Sequence, residues 1–117
     1  MENNRVMAAL AALAQGNRLD VFRLLVKAGH SGLAAGQIAT ALGLPPNTLS
    51  FHFDRLRQAG LVTVRRASRS MIYAARFDTM NELVAFLTEN CCAGVADDCG
   101  RSCSAPVSSS KSLAKKT

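Results

Sequence analysis

Gly43-Leu44-Pro45-Pro46-Asn47-Thr48-Leu49-Ser50-Phe51-His52-Phe53-Asp54-Arg55-Leu56-Arg57-Gln58-Ala59-Gly60 is the stretch that decides the fold. Proline cannot sit inside a helix but fits its first turn. A helix therefore begins near Pro46 or Asn47 and runs to Ala59, with Gly60 just past its end. Leu49, Phe53 and Leu56 share one face of it. Immediately upstream, Ala35 to Leu42 reads as a short helix that buries Ile38 and Leu42. The tight break from Gly43 to Pro46 is the turn that a helix-turn-helix requires.

Working outward, a first helix spans about Asn4 to Gln15, with Val6, Leu10, Leu13 and Ala14 on one stripe. A second opens after Asn17, a good N-cap with Asp20 three residues on, carries Val21, Phe22, Leu24, Leu25 and Val26, and ends at Gly29. Past Gly60 the period changes. Leu61, Val62 and Val64, then Met71, Ile72 and Tyr73, have strand character around Ala67-Ser68-Arg69-Ser70, which predicts a β-hairpin. A last helix opens at Asp78 or Thr79, carries Met80, Leu83, Val84 and Leu87 in a stripe, and stops at Gly94. The expected fold is mostly α with a small β-hairpin: a winged helix-turn-helix. One such unit buries too little surface for tight specific binding and usually acts as a two-fold dimer. The apolar first and last helices are the expected dimer elements. Residues 1–92 are read as the DNA-binding and dimerisation domain, 93–103 as a Cys-containing segment, and 104–117, made mostly of Ser, Ala and Lys, as a disordered basic tail.

The composition agrees with one such domain. The 117 residues are 49% hydrophobic, enough for one core. Fourteen Lys and Arg against eight Asp and Glu leave a net charge of +6, which suits a polyanionic partner. Two His and no nucleophile–base pairing predict no catalytic triad and no enzyme. No apolar run approaches the ~20 residues of a membrane span. Val6 to Ala14 imitates a short secretory signal, but the run has nine residues and Glu2 spoils its positive flank. The expected location is the cytoplasm, where four Cys suggest metal binding or redox chemistry more than disulfides.

A recognition helix reads the major groove with its N-terminal residues. Here those are Asn47, Thr48, Ser50, Phe51 and His52, with Arg55 one turn later. Asn can bond adenine through two contacts, and Ser and Thr can reach base edges or phosphates. Phe51 lies off the buried face, so it either touches a thymine methyl or packs under the hairpin. His52 is read as helix-packing or phosphate-contacting. The hairpin carries Arg65, Arg66 and Arg69, and from Arg55 to Phe77 there are six Arg and no acid. Such a run suits phosphates or a minor groove; the plainer reading is a solvated basic face.

All four Cys fall within 13 residues: Cys91, Cys92, Cys99 and Cys103, spaced Cys-Cys-x6-Cys-x3-Cys. Cys91 follows Leu87 by four residues and so continues the stripe of the last helix, while Cys92 projects about 100° away. Both face one ion only if the helix ends there. Thiolates without a His or carboxylate pattern make a soft site, and adjacent Cys suit tetrahedral zinc poorly. Trivalent arsenic or antimony wants three sulfurs in a pyramid, which Cys91, Cys92 and Cys99 can supply, with Cys103 spare or a fourth ligand. Another soft metal such as cadmium, lead or zinc, a redox pair, and inert tail thiols remain open alternatives.

Leu49 to Leu56, followed by Gln58-Ala59-Gly60-Leu61-Val62, is similar to the recognition helix and start of the wing in the ArsR/SmtB metal-responsive repressors. Glu89-Asn90-Cys91-Cys92 with Cys99 resembles the arsenical-responsive subgroup with its site at the end of the last helix. The resemblance covers roughly Val6 to Cys103. It implies a homodimer on operator DNA that needs no cofactor to bind and is released by arsenite or antimonite as inducer. The better-known arsenical site of the family is a Cys-x-Cys-x2-Cys run in the DNA-binding helix, and this helix has no Cys. Zinc-sensing relatives use Asp and His on the last helix, whereas Thr79 to Asn90 offers only Glu82 and Glu89.

Overall fold

The computed structural model describes residues 1–94. In chain order the elements are α1 (Asn3–Leu13), α2 (Gly16–Ala28), β1 (Leu33–Ala34), α3 (Ala35–Leu42), α4 (Pro46–Gln58), β2 (Val62–Ala67), β3 (Ser70–Ala75) and α5 (Phe77–Leu87), followed by a 3-10 turn at Cys91–Gly94. The chain divides into two compact units, Met1–Leu83 and Val84–Thr117.

In the first unit, Val21 and Leu25 from α2, Ile38 from α3, Leu49 and Leu56 from α4, and Leu61 are fully buried. Gly43 turns left-handed (φ 65°) to end α3, and Pro45 and Pro46 open α4 with Pro46 in its first turn. The helix-turn-helix expected between Ala35 and Ala59 is thus present. β2 and β3 form the expected hairpin, paired from Val62↔Ala75 to Ala67↔Ser70.

The helix ends depart from the sequence reading. α1 stops at Leu13, and Gln15 rather than Asn17 caps α2, its Oε1 accepting the Arg18 N–H at 3.0 Å. Arg18 Nε then donates to the Ala12 carbonyl at 2.7 Å, fastening the start of α2 to the end of α1. The buried row of α1 is Val6, Ala9 and Ala12, while Leu10 is exposed. Alanine lets the α1 backbone approach its neighbours closely, and the larger side chains face outward.

A third strand was not expected. Leu33 and Ala34 pair with Tyr73 and Ile72, giving a sheet of order β1-β3-β2. Gly32 leads into this pairing at φ 71°, and a Cβ there would collide with the Tyr73 carbonyl. The Gln37 side chain accepts the Ala34 N–H at 2.8 Å, so β1 passes directly into α3.

α5 begins at Phe77, buries Thr79 and Leu83, and ends at Leu87 rather than Gly94. In the second unit, the Thr88 hydroxyl donates to the Val84 carbonyl at 2.8 Å, alongside the Thr88 N–H at 3.0 Å. Asn90 then turns left-handed at φ 59°. Cys91 therefore does not continue the helical stripe.

Gly32→Ala adds both a Cβ collision and a strained φ, so it should destabilise the chain by about 1–3 kcal/mol. Gly36→Ala, in a helix with open space at the Cβ position, should be neutral or stabilising by up to about 1 kcal/mol. Urea unfolding of both variants checks the contrast, and equal effects would contradict it.

Candidate nucleic-acid interface

α4 sorts its side chains cleanly. Leu49, His52, Phe53 and Leu56 are buried; Asn47, Ser50, Phe51 and Arg55 are exposed; Thr48 is half-buried. Asn47 Oδ1 accepts the Thr48 N–H at 3.0 Å, holding the amide at the first turn. Asn47, Ser50, Phe51 and Asp54 follow i, i+3, i+4, i+7 spacing and so lie along one side of the helix. Asp54 would place negative charge there, but Arg57 and Gln58 bond its two oxygens at 3.1 and 2.9 Å.

The hairpin stands beside α4 through one ring contact. Phe53 stacks on Tyr73 of β3, with centroids 3.8 Å apart and planes within 18°. Arg65, Arg66 and Arg69 are all exposed. Arg65 Nη2 reaches the Ser31 carbonyl at 2.9 Å, bracing the middle of the hairpin on the segment before β1. Arg66 Nε approaches the Ser68 carbonyl at 3.3 Å, and Ser68 takes the tip through φ 60°. Arg69 is next to it in the turn.

Phe51 and His52 end up on the α1 side. Phe51 is 52% exposed, and the Arg55 guanidinium lies 5.0 Å from its ring centroid. It does not take the place under the hairpin, which Phe53 fills. His52 is only 5% exposed, and its Nδ1 has no hydrogen-bond partner. Of the two roles expected for it, helix packing is the one its burial matches. Burial, and then the charge of Arg18, hold its pKa below the usual 6.5. A groove of ≈ 670 Å³ between α1 and α4 is bordered by Ala8, Ala11, Ala12, Arg18, Phe51 and Arg55 among others. The alanine positions of α1 were the only sequence sign of it.

Cys91 and Cys92 are half-buried in the 3-10 turn, with Cys92 at φ 57°. Cys99 and Cys103 lie outside the described residues. Among the described residues, no three His, Cys, Asp or Glu come together in a group that could hold a metal. No described helix is long and apolar enough to cross a membrane.

An exposed helix start after a tight turn, a stacked arginine-bearing hairpin and a basic charge balance define a winged helix-turn-helix DNA-binding regulator. Comparison with known proteins agrees. A helix-turn-helix domain family matches residues 13–65. YceK, an HTH-type transcriptional regulator of Bacillus subtilis, is 35% identical over 68 residues, which cover 58% of this chain and 67% of YceK. The NolR structure from Sinorhizobium fredii is 30% identical with TM-score 0.60, covering 74% of this chain and 83% of its own. A homodimeric winged helix-turn-helix DNA-binding domain from Mycobacterium bovis, described as a possible ArsR-family regulator, is 29% identical with TM-score 0.61, covering 73% and 77%. The chain belongs to the HTH-type transcriptional regulators.

The lowered pKa of His52 has a signed consequence. The folded state resists protonation, so below about pH 6.5 the unfolded chain takes up the proton more readily. The stability tied to neutral His52 is present above that pH and is lost as pH falls toward the folded pKa. The melting temperature should fall between about pH 7.5 and 5.5 in the native chain, and His52→Gln should flatten that fall. Parallel curves for the two proteins would contradict the assignment.

Proposed function

We propose that this chain is a homodimeric repressor that holds operator DNA and releases it when trivalent arsenic or antimony binds Cys91, Cys92 and Cys99. The observation that carries the DNA part is the outward row of α4 beside an arginine hairpin. Asn47 and Ser50 read base edges in the major groove, with Thr48 on base or phosphate and Phe51 against a thymine methyl. Arg55, Arg65, Arg66 and Arg69 hold phosphates or enter the minor groove. His52 supports the helix from behind.

The inducer part is supported by thiol chemistry and by where α5 ends. With the helix stopped at Leu87 and left-handed backbone at Asn90 and Cys92, the 100° divergence that an intact helix would impose on Cys91 and Cys92 no longer applies. Cys99 completes three sulfurs, and Cys103 is spare. Ligation reorders the end of the dimer helix and changes the setting of the two DNA-binding units. A coupling of about 1–3 kcal/mol would weaken operator binding roughly 5- to 150-fold.

One observation favours a second reading: Cys91 is disulfide-bonded. In that reading an oxidant such as peroxide takes two electrons and two protons from a pair of thiols, is itself reduced to water, and the new disulfide releases the DNA. The two readings separate in one experiment. Reduced protein is bound to a duplex selected from random sequence, an inverted repeat being expected, and titrated with arsenite, antimonite, zinc, cadmium or peroxide while fluorescence anisotropy follows release. Release by arsenite under full reduction supports the metalloid reading; release by peroxide alone supports the redox one. No release by any of them would leave a constitutive DNA-binding protein and overturn both.

Cys91→Ser, Cys92→Ser and Cys99→Ser should each stay on DNA in arsenite, because a hard oxygen replaces a soft sulfur. Cys103→Ser should respond as the native chain does. An equal requirement for all four would point to a four-thiolate ion such as cadmium or zinc. On the DNA side, Arg66→Ala and Arg69→Ala should each lower the salt slope of binding by about one. Asn47→Ala and Ser50→Ala should relax sequence preference at defined positions. Unchanged slopes and unchanged preference would remove the hairpin and α4 from the DNA.

A further inference from the structure

The groove between α1 and α4 has the makings of a ligand site that DNA binding does not explain. Its ≈ 670 Å³ falls within the roughly 300–1,000 Å³ of small-molecule pockets. Its α1 wall is apolar, made by Ala8, Ala11 and Ala12 on adjacent turns, and the Phe51 ring adds an aromatic surface on α4. Two guanidinium groups, Arg18 and Arg55, border it, and among the described residues no carboxylate does. Arg18 commits its Nε to the Ala12 carbonyl, which leaves its terminal nitrogens as donors.

His52 supplies the independent sign. Buried polar atoms are nearly always hydrogen-bonded, and an exception calls for an explanation. His52 borders this groove and is 95% buried, and its Nδ1 is unpartnered. A groove with an apolar wall, two cations, a buried imidazole short of one bond and, among the described residues, no acid is complementary to one class of molecule.

We propose that the α1–α4 groove binds a small organic anion with an apolar body, an aryl or short alkyl carboxylate. The body lies on the alanines and Phe51, and the carboxylate accepts from Arg18 and Arg55 beside His52. Phe51 and Arg55 also belong to the exposed row of α4, so the bound anion competes with DNA for them. That consequence, though not the binding itself, rests on the reading of α4 as the DNA-reading helix.

The test titrates the reduced full chain, without DNA or metalloid, with phenylacetate, hexanoate and the uncharged 2-phenylethanol. Binding is read by calorimetry and by the NMR shifts of the Phe51 and His52 rings. Saturable binding of one phenylacetate per chain is expected, with 2-phenylethanol at least tenfold weaker. Ala11→Leu fills the groove from an exposed position on α1 and should cost at least tenfold in affinity at unchanged circular dichroism and oligomer mass. Ala8→Leu does the same one turn away should Ala11→Leu fail to fold, and Arg18→Gln should also cost at least tenfold. No binding by either carboxylate, equal binding of the alcohol, or full binding by the filled variants would overturn the site. A change of oligomer mass in Ala11→Leu would assign the groove to a second copy of the chain and overturn it too. Operator binding is measured separately in the presence of phenylacetate. If phenylacetate binds and operator affinity holds, the competition at α4 is overturned while the site stands.

Discussion

The flat contact between Phe53 and Tyr73 is the joint on which the exposed side of α4 and the hairpin is built. Phe53 belongs to the buried row of α4 and Tyr73 to the middle strand of the sheet, so one ring pair sets the helix against the hairpin. Such pairs add about 0.5–1.5 kcal/mol beyond the area they bury. Its positional role matters more than that sum. Leu49 and Leu56 fix the rotation of α4 about its axis, and the stacked rings fix its distance from β3. With both set, the outward row from Asn47 to Arg55 and the arginines from Arg65 to Arg69 are held in one arrangement.

The parts of this arrangement that depend on local chemistry are legible in the sequence. Gly43, the Pro45-Pro46 pair and Gly60 act on their own backbone, and they bound α3, α4 and the hairpin within a residue or so. Exposure of Asn47, Ser50, Phe51 and Arg55 follows from the buried Leu49-Phe53-Leu56 face alone. What escaped the sequence depends on which partner wins, remote for β1 and close by for the helix ends. β1 is two residues long and exists because Tyr73 and Ile72 are there to pair with it. Gln15 displaced Asn17 as the cap of α2, and Arg18 then tied the corner to Ala12. α5 ended at Leu87, because Thr88 and Asn90 turn the backbone before Gly94 is reached. Hydrophobic weight misplaced the buried row of α1, since close approach selects Ala9 and Ala12 over Leu10. The α1–α4 groove was hidden for the same reason.

α4 therefore has three differently used sides. Its inner row builds the core, its outer row is open, and its third side faces α1 through Phe51, His52 and Arg55. His52 shows the tension between them. A leucine there would spare the chain an unpaired buried nitrogen, which costs about 1–3 kcal/mol. Places where a chain departs from the rules of stable packing are commonly places of function.

The sheet order has one further effect, on what the protein avoids. β1-β3-β2 leaves β2 at the rim, and a rim strand offers unpaired amide and carbonyl groups to any other chain. A six-residue strand reading Val62-Thr63-Val64-Arg65-Arg66-Ala67 would otherwise be a good template for strand addition. Arg65 reaches away to Ser31, but Arg66 works against such addition, because an identical strand laid alongside would bring like charges together. The other rim carries β1, which is only two residues long. The positive charge that suits a polyanion thus also keeps copies of this small sheet from joining into a larger one, so neutralising it would remove a safeguard against aggregation as well as a grip.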